Sequence, residues 1–187
     1  MHLVEVVGLL VALFSIVFAI LLVTKKAPST AETKRSSPLN YDEATSLDAE
    51  DLAEGGMRKG YDALLPRLIQ YTPQPWDLEE RIDADSGTYY VMAGGSEYLI
   101  DAPNLDTVTG WGRATAALFS IVNQQLALEQ SEYRLYAING GNDLFGIFLT
   151  SQEAEAARHG LSSEQDWPYL PTAPAGTTDA ARAPAQT

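Results

Sequence analysis

The chain has no cysteine, two histidines, and only 12 Lys and Arg side chains against 25 Asp and Glu in 187 residues. Without cysteine there are no disulfides, thiolate metal ligands or cysteine nucleophiles. His2 and His159 stand near opposite ends of the sequence. They form no pair at metal-ligand spacing, so no metal site is expected. The scarcity of cations is uneven. Lys25, Lys26, Lys34 and Arg35 face Glu5 and Glu32 within residues 1–35, a net of +2, whereas the other 152 residues carry 8 basic and 23 acidic side chains, a net of −15. Neutralising phosphates needs a cationic surface, so no nucleic-acid partner is expected.

One apolar run is present, and it is long. Val6–Thr24 holds 19 residues without charge or proline. As a helix it would reach about 28 Å, close to the hydrocarbon thickness of a bilayer. Residues 1–24 are therefore expected to be a single-pass anchor in the inner (plasma) membrane, with residues 6–24 in contact with lipid. A cleaved signal peptide fits less well, because MHLVE lacks a basic residue and Lys25-Lys26 follow the core directly. All four nearby cations lie after the span, so the positive-inside rule favours a cytoplasmic C-terminal part over a periplasmic one. Gly8, Ala12, Ser15 and Ala19 form a seam of small residues along the span, a pattern that allows helix self-association into a homodimer.

Residues 25–45 are polar, with Ser, Thr and Pro, and read as a flexible linker. Residues 46–170 are expected to form one acidic α+β domain, and the Pro- and Ala-rich residues 171–187 a disordered tail. An acidic stretch over residues 42–54 predicts a helix start, capped by Ser46 and broken at Gly55-Gly56. Helical spacing resumes from Met57 to about Tyr71, with Pro66 inside it. Leu78–Ile82, Thr88–Met92 and Glu97–Asp101 are short and rich in Tyr, Val and Ile, with turn residues between them. They predict a three-stranded meander. A long helix follows from about Thr109 to Gln130. Tyr133–Ile138 and Leu144–Leu149 then flank Asn139-Gly-Gly-Asn-Asp143, a hairpin signal. Thr150 or Ser151 caps a last helix, Gln152–His159, after which Trp167–Leu170 are expected to fold back. The fold class is thus α+β: an N-terminal transmembrane helix, then a small antiparallel-sheet domain of order α-βββ-α-ββ-α.

Catalytic equipment is hard to find. Asp83-Ala-Asp85-Ser-Gly87 begins like a calcium loop, but Gly94 stands where the twelfth-position acid is needed. Asn139, Asn142 and Asp143 suit a tight turn better than a reaction centre. Neither Gly94-Gly95 nor Gly140-Gly141 opens a helix for a phosphate. There is no Gly-x-Ser-x-Gly elbow, and His159 is better read as a cation at a helix C-terminus. No catalytic residue and no cofactor is expected. Tyr89 and Tyr90 are adjacent, so in a strand one of them must face away from the core. Arg113 and Arg134, isolated in long stretches, are expected to partner buried acids.

These absences favour protein recognition. The acidic edge Asp77, Glu79, Glu80, Asp83 and Asp85, with Trp76 as an anchor, is the candidate binding surface for a protein with a basic face. The expected function is a membrane-anchored, non-enzymatic binding module of a bacterium, in its most concrete form an immunity protein neutralising a basic toxin. An accessory or scaffold subunit of a cell-envelope assembly is the alternative, and a membrane-tethered hydrolase the third reading.

Overall fold

The computed structural model describes residues 37–172. The anchor, its Gly8, Ala12, Ser15 and Ala19 seam, and the tail beyond residue 172 lie outside the described residues. The fold is α+β, as expected, but it holds two antiparallel sheets of three strands each. In chain order the elements are β1 (Thr45–Ser46), α1 (Ala49–Ala53), α2 (Met57–Leu68), β2 (Leu78–Ile82), β3 (Tyr89–Ala93), β4 (Ser96–Asp101), α3 (Thr107–Leu128), β5 (Tyr133–Ile138), β6 (Phe145–Thr150) and α4 (Ser151–Gly160).

Helix α3 is the centre. From Ala114 to Phe119 every residue is buried, which a helix with one apolar stripe does not show. It packs against β4, β5, α1 and α2. Among the described residues no helix is long and apolar enough to cross a membrane.

The two sheets bury themselves differently, and their sequences record it. In β3 burial alternates, with Tyr89, Val91 and Ala93 inside, as suits a sheet with one face in solvent. In β5 and β6, Leu135–Ile138 and Gly146–Leu149 are buried without a break. One face of that pair joins the main core through Leu135, Ala137 and Phe148. The other packs Tyr136, Ile138, Ile147 and Leu149 against Ala154 and Ala157 of α4. Thr150 starts α4 with a reciprocal capping box to Glu153, as its position at the end of an apolar run implies.

Four local expectations need correction. Ser46 does not cap a helix; it pairs with Phe145 in the strand order β1-β6-β5, and the cap is Asp48, which accepts from the N–H groups of Glu50 and Asp51. Residues 37–45, placed in the linker by their polarity, are structured: Leu39 is buried among the α4-side apolar residues and Tyr41–Glu43 form a 3-10 turn. Helix α2 ends at Leu68 rather than near Tyr71, because the chain tightens there into three-residue turns, Gln70 N–H to Arg67 O and Tyr71 N–H to Leu68 O. Arg134 meets no buried acid and donates to the carbonyls of Ser131 and Tyr133 at 2.7 and 2.6 Å. Trp167–Leu170 do fold back, since Tyr169 and Ala137 exchange backbone hydrogen bonds of 2.8 and 2.9 Å.

Candidate functional site

The meander β2-β3-β4 carries the candidate acidic surface, and its geometry separates residues that lie close in sequence. Alternation along β2 sends Leu78 and Glu80 toward the core side, and Glu79 and Arg81 to the outer face. On that outer face Arg81 lies 3.0 Å from Glu97, 3.8 Å from Asp83 and 4.5 Å above the Tyr90 ring. Across the pairing, Glu79 stands opposite Met92, which stands opposite Glu97. Tyr89 and Tyr90 take opposite faces, Tyr89 buried and Tyr90 under the arginine.

Asp77, Glu79 and Asp85 are exposed. Asp77 is held by Arg58 at 3.0 Å with 87% of its side chain still accessible, so that pair is worth little. Asp83 is built into the β2–β3 turn. Its Oδ1 accepts from the Ser86 N–H, the Ser86 hydroxyl and the Asp85 N–H, at 2.8, 2.8 and 3.2 Å. Those bonds, the Ser86 backbone donor foremost, hold its carboxyl below the usual carboxylate range.

Glu80 and Trp76 occupy different positions from those the acidic-edge reading assigns them. The Glu80 carboxylate turns inward and caps α2, accepting the Arg58 N–H at 3.0 Å. Gly56, at the N-cap position, has no side chain for the purpose. Glu80 also accepts the Tyr89 hydroxyl. Burial, and then this carboxylate, push the Tyr89 phenol far above its ordinary value. Trp76 is half-buried, packed on the main core and seated over Gly94, where any Cβ would overlap its ring. It braces the hairpin rather than projecting from it.

Charge reading alone misses the amide row of α3. Gln125, 2% exposed, accepts the Trp76 N–H at 2.8 Å and the Tyr61 hydroxyl at 3.1 Å, while its own amide donates to Ile121 O. Gln124 accepts from Tyr98 of β4 at 3.2 Å. Asn123 accepts the Leu135 N–H at 2.7 Å and donates to Leu135 O at 3.0 Å. Three successive amides thus tie the central helix to four segments: α2, the stretch before β2, β4 and β5. An uncharged polar triplet inside an apolar helical run is the signal that points to them.

The β5–β6 turn has Asn139 at φ +57° and Gly141 at +61°, as turn chemistry requires. Asp143, with Glu164, Phe145 and Tyr169, lines an open cleft of about 590 Å³. The Tyr169 hydroxyl donates to Asn139 O at 2.8 Å, pinning the C-terminal segment across this turn. Among the described residues no group of three or more His, Asp or Glu is placed to hold a metal ion. Compared with protein-family models, with curated proteins and with solved structures, the chain finds no match.

Proposed function

We propose that the chain is a membrane-anchored, non-enzymatic binding module of a bacterium whose acidic domain captures a protein with a basic surface, in its most concrete form an immunity protein against a basic toxin. The supporting observation is how the charges pair. Residues 37–172 hold 7 basic and 22 acidic side chains, a net of −15. Four of the seven cations sit in ion pairs with acids: Arg58, Lys59, Arg81 and Arg158. Arg67 and Arg134 point at backbone carbonyls instead. The Nε of Arg113 is buried without a partner among the described residues. Most carboxylates are therefore left uncompensated, and an excess of one sign steers an oppositely charged partner and speeds its encounter. Asp77, Glu79 and Asp85 on the meander are the exposed members of the candidate edge.

The test is capture of the basic partner recovered with the full-length chain, compared with the triple variant Asp77→Lys, Glu79→Lys, Asp85→Lys. The expected result is a loss of roughly tenfold or more in association rate at low salt, together with a flatter salt dependence. An unchanged rate and slope place the interface elsewhere. A reporter fused at the C-terminus, active in either cytoplasm or periplasm, decides which partners can reach the domain.

A further inference from the structure

The meander has an open edge, and its chemistry selects what can add to it. β2 is the terminal strand in the order β2-β3-β4. Asp83 N–H donates to Thr88 O at 2.8 Å, which makes that pair a hydrogen-bonded one. By the alternation of antiparallel ladders, Arg81 and Glu79 also turn their backbone groups toward β3. The N–H and C=O groups of Glu80 and Ile82 then point off the sheet.

The contrast with β5 is informative. Its outward groups are each taken: Tyr133 N–H by the Ser131 hydroxyl at 3.2 Å, Leu135 by the Asn123 amide, and Ala137 by the backbone of Tyr169. On β2 only Leu78 N–H is so occupied, by Asp77 Oδ1 at 3.0 Å. Among the described residues none hydrogen-bonds the outward N–H or C=O of Glu80 or Ile82, and Ile82 is 64% exposed.

Resting on the acidic-surface reading above, we propose that β2 receives an extended, Lys- or Arg-bearing segment of the partner as an added strand. Strand addition supplies backbone hydrogen bonds at the edge, and flanking side chains supply selectivity. Here Asp77, Glu79, Asp83 and Asp85 flank it, against Arg58 and Arg81. A second copy of β2 is the competing occupant. Antiparallel self-pairing centred on Glu80 sets Asp77 against Asp83 at both ends and Glu80 against Glu80 in the middle, but it also sets Glu79 against Arg81 and Leu78 against Ile82 on each side. What disfavours a second copy is the approach of two domains that each carry a net of −15, an excess that draws a cationic segment instead. Charged edges are a common guard against edge-to-edge association, and an acidic edge leaves a cationic strand as the complementary occupant.

The experiment uses the full chain in non-ionic detergent at low salt, with an acetylated Lys-Val-Lys-Val-Lys-Val-Lys peptide as probe. Amide hydrogen exchange is followed at Glu80 and Ile82. Protection there should rise at least tenfold with the peptide. A peptide of the same sequence, N-methylated at every second residue, should give none. Ile82→Pro, which removes an outward N–H and spares the β2–β3 ladder, should abolish the protection at Glu80, the outward amide that remains. Strand addition is overturned if the methylated peptide protects equally, or if the unmodified peptide protects neither amide. Protection that rises with protein concentration and no peptide overturns it too, in favour of a second copy. The two readings separate as follows. If both peptides bind equally, and binding falls in the Asp77, Glu79 and Asp85 charge-reversal variant, the acidic surface stands and strand addition does not. If that variant leaves capture of the basic partner unchanged, the acidic-surface reading itself is lost.

Discussion

At the scale of single residues, the buried polar groups carry more consequence than the exposed acids. Gln125 satisfies a backbone N–H and a phenol from two separate segments. Gln125→Leu would keep the volume near its present value but orphan the Trp76 N–H in the core wall. A lost bond of this kind, with a donor left unpaired, costs about 1–3 kcal/mol. Urea unfolding should show a lower midpoint with an unchanged slope; a midpoint equal to the parent's would mean that water replaces the amide. The Glu80–Tyr89 pair makes a different prediction, in alkali. The folded pKa of Tyr89 is raised by burial and by the carboxylate. Its contribution is therefore complete below the unfolded tyrosine value near 10 and is lost as pH rises above it. Burial raises Tyr61 and Tyr98 in the same direction. Stability should fall above about pH 10, by roughly 1.4 kcal/mol per pH unit for each such tyrosine. In Tyr89→Phe the alkaline slope should be shallower by about one proton, and an unaltered slope would refute the assignment.

At the scale of elements, Trp76 and Gly94 show how a turn and a core residue depend on each other. Gly94 and Gly95 both have positive φ, +57° and +78°. A Cβ at Gly95 meets nothing within 4 Å, whereas one at Gly94 lands on the Trp76 ring. Gly95→Ala should therefore cost only the backbone term, about 1 kcal/mol. Gly94→Ala should cost about 2–4 kcal/mol through added overpacking, and should shift the tryptophan emission. Equal costs for the two variants would show that the ring swings away freely.

The meander, the long helix and the final hairpin were legible in the sequence because their signals are local: period-two alternation, helical spacing, and Gly or Asn in the turns. Thr150 as a cap was legible for the same reason. What stayed hidden depends on contacts distant in sequence. β1 has two residues and exists because β6 offers it an edge, so Ser46 reads as a cap when viewed alone. Leu39 reads as a linker residue because its burial partners lie about a hundred positions away in β5, β6 and α4. The acidic edge was legible as composition. Its division was not, since the inward turn of Glu80 follows from the placement of α2 over β2. The Gly94 turn likewise hides that Trp76 is a brace.

At the scale of the whole molecule, the same charge excess acts on the fold and on its partner with opposite sign. Within residues 37–172 the ion pairs are few and mostly exposed, so they contribute little to stability. The remaining carboxylates repel one another across the surface, which disfavours the compact state. Salt shortens the reach of both effects, from a screening length of about 30 Å at 0.01 M to about 8 Å at 0.15 M. Raising the salt over that range should therefore stabilise the domain by on the order of 1 kcal/mol, seen as a rise of about 2–4 °C in melting temperature. Over the same range the association rate with a basic partner should fall. The two trends are linked, because both arise from the uncompensated acids. In the Asp77, Glu79 and Asp85 charge-reversal variant each should become shallower. A melting temperature that drops with salt would instead mean that the ion pairs around Arg58 and Arg81 outweigh the repulsion, and that the acids are held for the fold's sake.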